Sequence, residues 1–145
     1  MRAVVATDLV HLEAGVDATA DIEDAAARVV AFLRVYEDSA DDLMSEQTGC
    51  LYATVLAERD LTGPDVNGLI AKAELAWRTG FVDLLRPALA ARRPDLDIDV
   101  DVLADHLFTT LEAGFILCRT LGTPSAMGAQ IRVFRQLVVA LLRLD

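Results

Sequence analysis

Four aspartates at alternate positions, Asp95, Asp97, Asp99 and Asp101, have the oxygen chemistry of a calcium loop. Such a loop also needs a glycine at its sixth position and a bidentate glutamate at its twelfth. Counted from Asp95, those positions hold Val100 and His106, so the run reads as a solvated cap and no metal is expected. The two histidines, His11 and His106, are not spaced as a helical zinc pair, which needs i and i+4. His106 and Glu112 lie six residues apart, a separation that does not place them on one helical face. Cys50 and Cys118 are the sequence's only thiols, too distant from each other for a metal knuckle and not flanked by a recognisable base. There is no glycine-rich phosphate loop and no catalytic carboxylate pattern. The chain reads as a protein without catalytic residues or cofactor.

The aromatic residues are more informative. Phe32, Tyr36, Tyr52, Trp77, Phe81 and Phe108 fall on four successive helical segments, and Trp77 and Phe81 share one face. Helical bundles build ligand cavities between facing helices, walled by aromatics with a few polar groups. These six are the candidate ligand-binding residues, with His106, Thr109 and Glu112 as polar contacts from the neighbouring helix.

The elements that must position them are almost all helical. Met1 to Glu13 reads as a short helix closing near Gly15. Asp21 is placed to cap the next helix, whose apolar positions Ile22, Val29, Phe32 or Leu33 and Tyr36 keep helical spacing. Glu37 to Glu46 reads as an acidic, fraying stretch. Gly49 opens a short helix over Cys50 to Glu58. Thr62-Gly63-Pro64 is a helix start, and Pro87 is expected to kink or end the long helix that follows. Leu96 to Val102 alternates with period two, the pattern of a strand, but a lone strand has no partner. It is read as a linker whose aspartates cap the next helix. Two apolar helices close the chain, from about Val100 to Leu121 and from about Pro124 to Leu144, hinged at Leu121-Gly122-Thr123-Pro124. Both are apolar over more than half their circumference, so each is expected to bury a second face, as in a four-helix dimer interface.

Composition agrees. A length of 145 residues suits one domain, and 54% hydrophobic residues is high for a soluble monomer. The net charge of −10 repels polyanions, so nucleic acid is not expected to bind this chain alone. Two cysteines, no signal-peptide pattern and no long uncharged apolar run fit a cytoplasmic protein that does not enter a membrane.

The order of these signals resembles the C-terminal ligand-binding and dimerisation domain of TetR-type transcriptional regulators. The resemblance is carried by Gly49-Cys50-Leu51 opening a short helix that ends in Glu58, and by a long helix with Ala76-Trp77 and then Phe81. Asp99 to Leu107, the run Leu111-Glu112-Ala113-Gly114-Phe115-Ile116-Leu117, and Thr123-Pro124 before the final amphipathic helix complete it. It spans about residues 20 to 144. The glycine after Glu112 stands one residue later than in the usual pattern. The family's N-terminal helix-turn-helix domain, of roughly fifty residues, has no counterpart in this sequence.

The resemblance implies an all-α helical bundle over residues 1–145. Residues 1–14 would form a connecting helix, 15–98 the ligand-binding helices and 99–145 a dimerisation pair. It implies a homodimer that binds a small, mostly apolar effector and passes the signal to DNA-binding heads carried elsewhere, as in a repressor. Leu111, Gly114, Phe115, Cys118, Ile131, Phe134, Val138 and Leu141 are the expected dimer contacts. The competing reading is a stand-alone interaction module that docks another chain through its C-terminal helix pair. A small helical enzyme using Cys50 or Cys118 is a third.

Overall fold

The computed structural model describes residues 1–46, 50–58 and 63–144, with side chains left out at 43–46. Within them the chain forms six helices and no strand: α1 (Arg2–Asp17), α2 (Ala25–Glu46), α3 (Leu51–Ala57), α4 (Pro64–Arg92), α5 (Val100–Leu121) and α6 (Ala126–Leu141). Gly49 and Thr62, two of the expected start signals, lie outside the described residues.

Local chemistry sets several boundaries. Asp99 caps α5, its carboxylate accepting from the backbone N–H groups of Asp101 and Val102 at 3.1 Å each. The period-two stretch before it is therefore the expected linker. Pro64 occupies the first turn of α4, where its missing N–H costs nothing. Gly122 ends α5 with φ +64, a left-handed conformation that glycine adopts without strain.

Four boundaries differ from expectation. Helix α1 runs past Gly15 to Asp17. Helix α2 is capped by Asp24, not Asp21: Asp24 Oδ1 accepts from the Ala27 N–H at 2.7 Å. Helix α2 also continues through the acidic stretch to Glu46. The reason is partly tertiary, since Glu37 is neutralised by Arg132 Nε at 2.7 Å and Arg135 Nε at 2.6 Å, both on α6. Finally, Pro87 does not end α4, which runs on to Arg92. Pro87 deprives only the Asp83 carbonyl of a donor. Both residues are exposed, so water can serve that carbonyl, while Leu84, Leu85, Ala88 and Leu89 around them are buried.

Four helices close a ring in which α2 packs on α6, α6 on α5, α5 on α4 and α4 on α2, with α1 laid against α4 and α2. Phe32, Leu33, Phe81 and Leu85 fill the centre with no exposed surface. Close approach of α5 and α6 depends on Gly114, where a Cβ would come within 3.0 Å of the Met127 side chain. Arg78 on α4 and Asp105 on α5 add a two-pronged ion pair at 2.6 and 2.7 Å. None of the described helices is long and apolar enough to cross a membrane.

Candidate functional site

A cavity of about 590 Å³ opens between α1 and the helices it covers. Its wall from α1 carries Val4, Asp8, His11 and Gly15, which sit one helical turn apart at steps of four, three and four residues. Helix α2 contributes Tyr36, α3 Tyr52, α4 Trp77, and α5 Phe108, Leu111, Glu112 and Phe115. This is within the volume range of small-molecule sites.

The aromatic wall is built in two layers. Tyr36 stands edge-on to Trp77 with ring centroids 5.0 Å apart, and Tyr52 stacks on Phe108 at 6.5 Å. Behind them lies a core layer: Phe32 meets Tyr36 at 5.0 Å and Phe81 at 5.6 Å, and Phe81 meets Phe134 at 6.2 Å. Of the six expected cavity residues, Tyr36, Tyr52, Trp77 and Phe108 line it, while Phe32 and Phe81 do not. Both are 0% exposed, sealed by the layer in front of them. Among the expected polar contacts only Glu112 reaches the cavity. His106 and Thr109 are exposed and do not line it.

Tyr36 is held by geometry rather than by rotamer freedom. Its hydroxyl donates to the His11 carbonyl at 3.1 Å, and a Cβ at Gly15 would collide with that hydroxyl. Glycine is therefore required at this point for α1 to lie close. Tyr52 donates from its hydroxyl to Asp8 Oδ2 at 2.9 Å, tying α3 to α1. The Trp77 indole N–H faces the same carboxylate and is buried without closing a hydrogen bond of its own.

Burial raises the pKa of Asp8, a shift opposed by the Tyr52 hydroxyl. Burial likewise raises that of Glu112, with Asp8 and Glu74 adding repulsion. The Cys50 thiol, beside Glu112, is pushed up to about 12 by burial and by that carboxylate. A thiol so protonated at neutral pH is a poor nucleophile. Cys118 is buried too, bonded through its sulfur to the Pro124 carbonyl at 3.1 Å and the Met127 N–H at 3.2 Å.

The expected interface residues are placed differently. Gly114, Phe115, Cys118, Ile131, Phe134 and Val138 are buried within the chain, where α5 and α6 pack on each other and on α2. Leu111 is half-buried on the cavity wall, and Leu141 packs against the core. Since a single chain already covers these side chains, they are not a free face. The exposed large apolar residues of the pair are others: Val102 (56%), Ile116 (59%) and Leu121 (64%) on α5, and Val133 (50%) and Leu137 (63%) on α6.

Asp8, His11 and Gly15 were missed as site residues. The signal was present in their spacing with Val4 along one face of α1, but nothing local distinguishes that face from a solvated one.

The described residues thus form an all-helical bundle with an aromatic-walled cavity beneath its first helix. Residues 25–134 match the family described as Tetracyclin repressor-like, C-terminal domain, and the chain belongs to that family. No curated protein and no solved structure matches it.

Proposed function

We propose that this chain is the effector-binding and homodimerisation unit of a TetR-type transcriptional regulator, acting in the cytoplasm on a small, mostly apolar molecule. The observation that carries the reading is the 590 Å³ cavity walled by Tyr36, Tyr52, Trp77 and Phe108. Family membership makes a regulator the natural context.

The same cavity suggests how binding is transmitted. Helix α1 meets the cavity through Asp8 and His11, whose partners Tyr52 and Tyr36 stand on its wall. An occupant that displaces either tyrosine moves α1 relative to the ring. The signal then reaches DNA-binding heads as a change in the geometry of a dimer, to the extent that the ligand prefers one arrangement. DNA contact belongs to those heads and not to this acidic chain.

The dimer face we propose is the outer side of α5 and α6. Thr109, Ala113, Ile116 and Thr120 share a stripe on α5, and Ala129, Val133, Leu137 and Ala140 share one on α6. All are exposed and none is charged. Adjacent helices of the ring present these stripes side by side, as a four-helix interface requires. The test is light scattering of the purified chain and of Leu137→Glu. The wild type is expected at about twice 15.7 kDa and the variant as folded monomer. A wild-type monomer, or a variant dimer, would remove this face from the assembly. A monomer that pairs only with a second, different chain would favour the stand-alone docking module.

A further inference from the structure

Among the described residues around the cavity, acidic groups outnumber basic ones. Among the described residues its wall carries the carboxylates of Asp8, Asp42 and Glu112, and neither lysine nor arginine. His11 supplies the wall's single imidazole, on an exposed residue. Asp8 and Glu112 are both half-buried, and their described hydrogen-bond partners are neutral: the Tyr52 hydroxyl for Asp8 and the Cys50 thiol for Glu112. Carboxylates elsewhere in the fold are treated differently. Glu37 is met by two arginines and Asp105 by one.

Among the described residues the one favourable charge facing either carboxylate is the exposed His11 beside Asp8, and Glu112 has none, so the pair is poorly compensated. The rings of Tyr36, Trp77 and Phe108 stand on the same wall, and their faces attract positive charge. No three oxygen, thiol or imidazole ligands converge among the described residues, which makes a bare metal ion a poor fit. An anion would meet the carboxylates of Asp8 and Glu112. A neutral apolar molecule would leave Asp8 and Glu112 as they are, now further desolvated.

We propose that the cavity takes an organic cation, an amine or quaternary ammonium whose charge lies between Asp8 and Glu112 and whose apolar body rests on Tyr36, Trp77 and Phe108. This rests on the reading that the cavity binds a small molecule, and it specifies the chemical class.

The test uses three probes of nearly one shape and different charge: 2-(1-naphthyl)ethylammonium, 2-(1-naphthyl)ethanol and 1-naphthylacetate. Each is titrated calorimetrically into the wild-type chain at neutral pH and low salt. The ammonium probe is expected to bind about tenfold or more tightly than the alcohol, with the acetate weakest. In Asp8→Asn/Glu112→Gln, checked for folding by circular dichroism, the ammonium is expected to fall to the level of the alcohol, whose own affinity holds. An alcohol or acetate that binds the wild type as tightly as the ammonium overturns the charge assignment and leaves the cavity reading standing. Failure of all three to bind sinks both. Should the double variant not fold, the ranking of the probes on the wild type still decides.

Discussion

Phe81 and Phe108 were equivalent in the sequence, both aromatic residues on long helices and both expected to touch a ligand. The structure separates them, and the separation has a measurable size. Phe81 is 0% exposed, stacked on Phe32 at 5.6 Å and tilted against Phe134 at 6.2 Å. Truncating it to alanine removes a fully buried ring and leaves a void that the surrounding helices cannot close. That costs about 3–5 kcal/mol, with the lost ring pairs included. For a chain of this length about 4 kcal/mol corresponds to a melting point lower by roughly 10–15 °C. Phe108 already borders empty space and has one ring neighbour, Tyr52 at 6.5 Å. Phe108→Ala is expected to cost about 1–2 kcal/mol, because most of what it vacates joins an existing cavity. Thermal and urea unfolding by circular dichroism on both variants gives the two numbers. Equal losses, or a larger loss for Phe108→Ala, would refute the assignment of one ring to the core and the other to the wall.

Three further outcomes follow from single contacts. Gly15→Ala is expected to drive the Tyr36 ring from its place and break its bond to the His11 carbonyl, changing the near-ultraviolet circular dichroism while the far-ultraviolet spectrum holds. An unchanged near-ultraviolet spectrum would show that α1 does not lie as close as described. Glu37→Gln leaves Arg135, only 15% exposed, without its counter-charge, and is expected to cost about 2–4 kcal/mol. The arginines lower the Glu37 pKa, so its contribution is full above the unfolded value, near 4.5, and fades as pH falls through the folded one. Acid melting should therefore be less steep in the variant than in the wild type; identical acid profiles would argue that Glu37 is unpaired. With its thiol pushed up to about 12, Cys50 is expected to alkylate far more slowly than a free cysteine at pH 7. Rapid labelling mapped to that residue by mass spectrometry would contradict its environment.

What could be read from the sequence was what is decided within a few residues. Asp99 caps its helix through bonds spanning two and three positions, and Gly122 and Pro64 act on the turn they occupy. The aromatic set and the helix pair were legible as types of residue on types of element. Their orientation was not. Whether Phe32 or Tyr36 faces the cavity depends on how α1 and α4 pack against α2, and helical spacing alone admits either. The fraying assigned to Glu37–Glu46 failed because the arginines that neutralise Glu37 are on α6, 95 and 98 residues away. Most of the expected interface residues are buried within the single chain for a related reason. A strongly apolar stripe is the one a monomer claims first, and residues left outside, such as Ile116, Val133 and Leu137, look weaker in sequence because they alternate with small and polar neighbours.

Trp77 is the chain's only tryptophan, 5% exposed, with the Tyr36 ring at van der Waals distance and the Asp8 carboxylate near its indole N–H. The intrinsic fluorescence of the folded protein therefore comes from one place, the wall of the cavity. Indole emission shifts with local polarity and is quenched by nearby charge. The colour and yield of that light report the contents of a single cavity, in an unlabelled molecule. Screening for an occupant needs no assay of transcription and no dye.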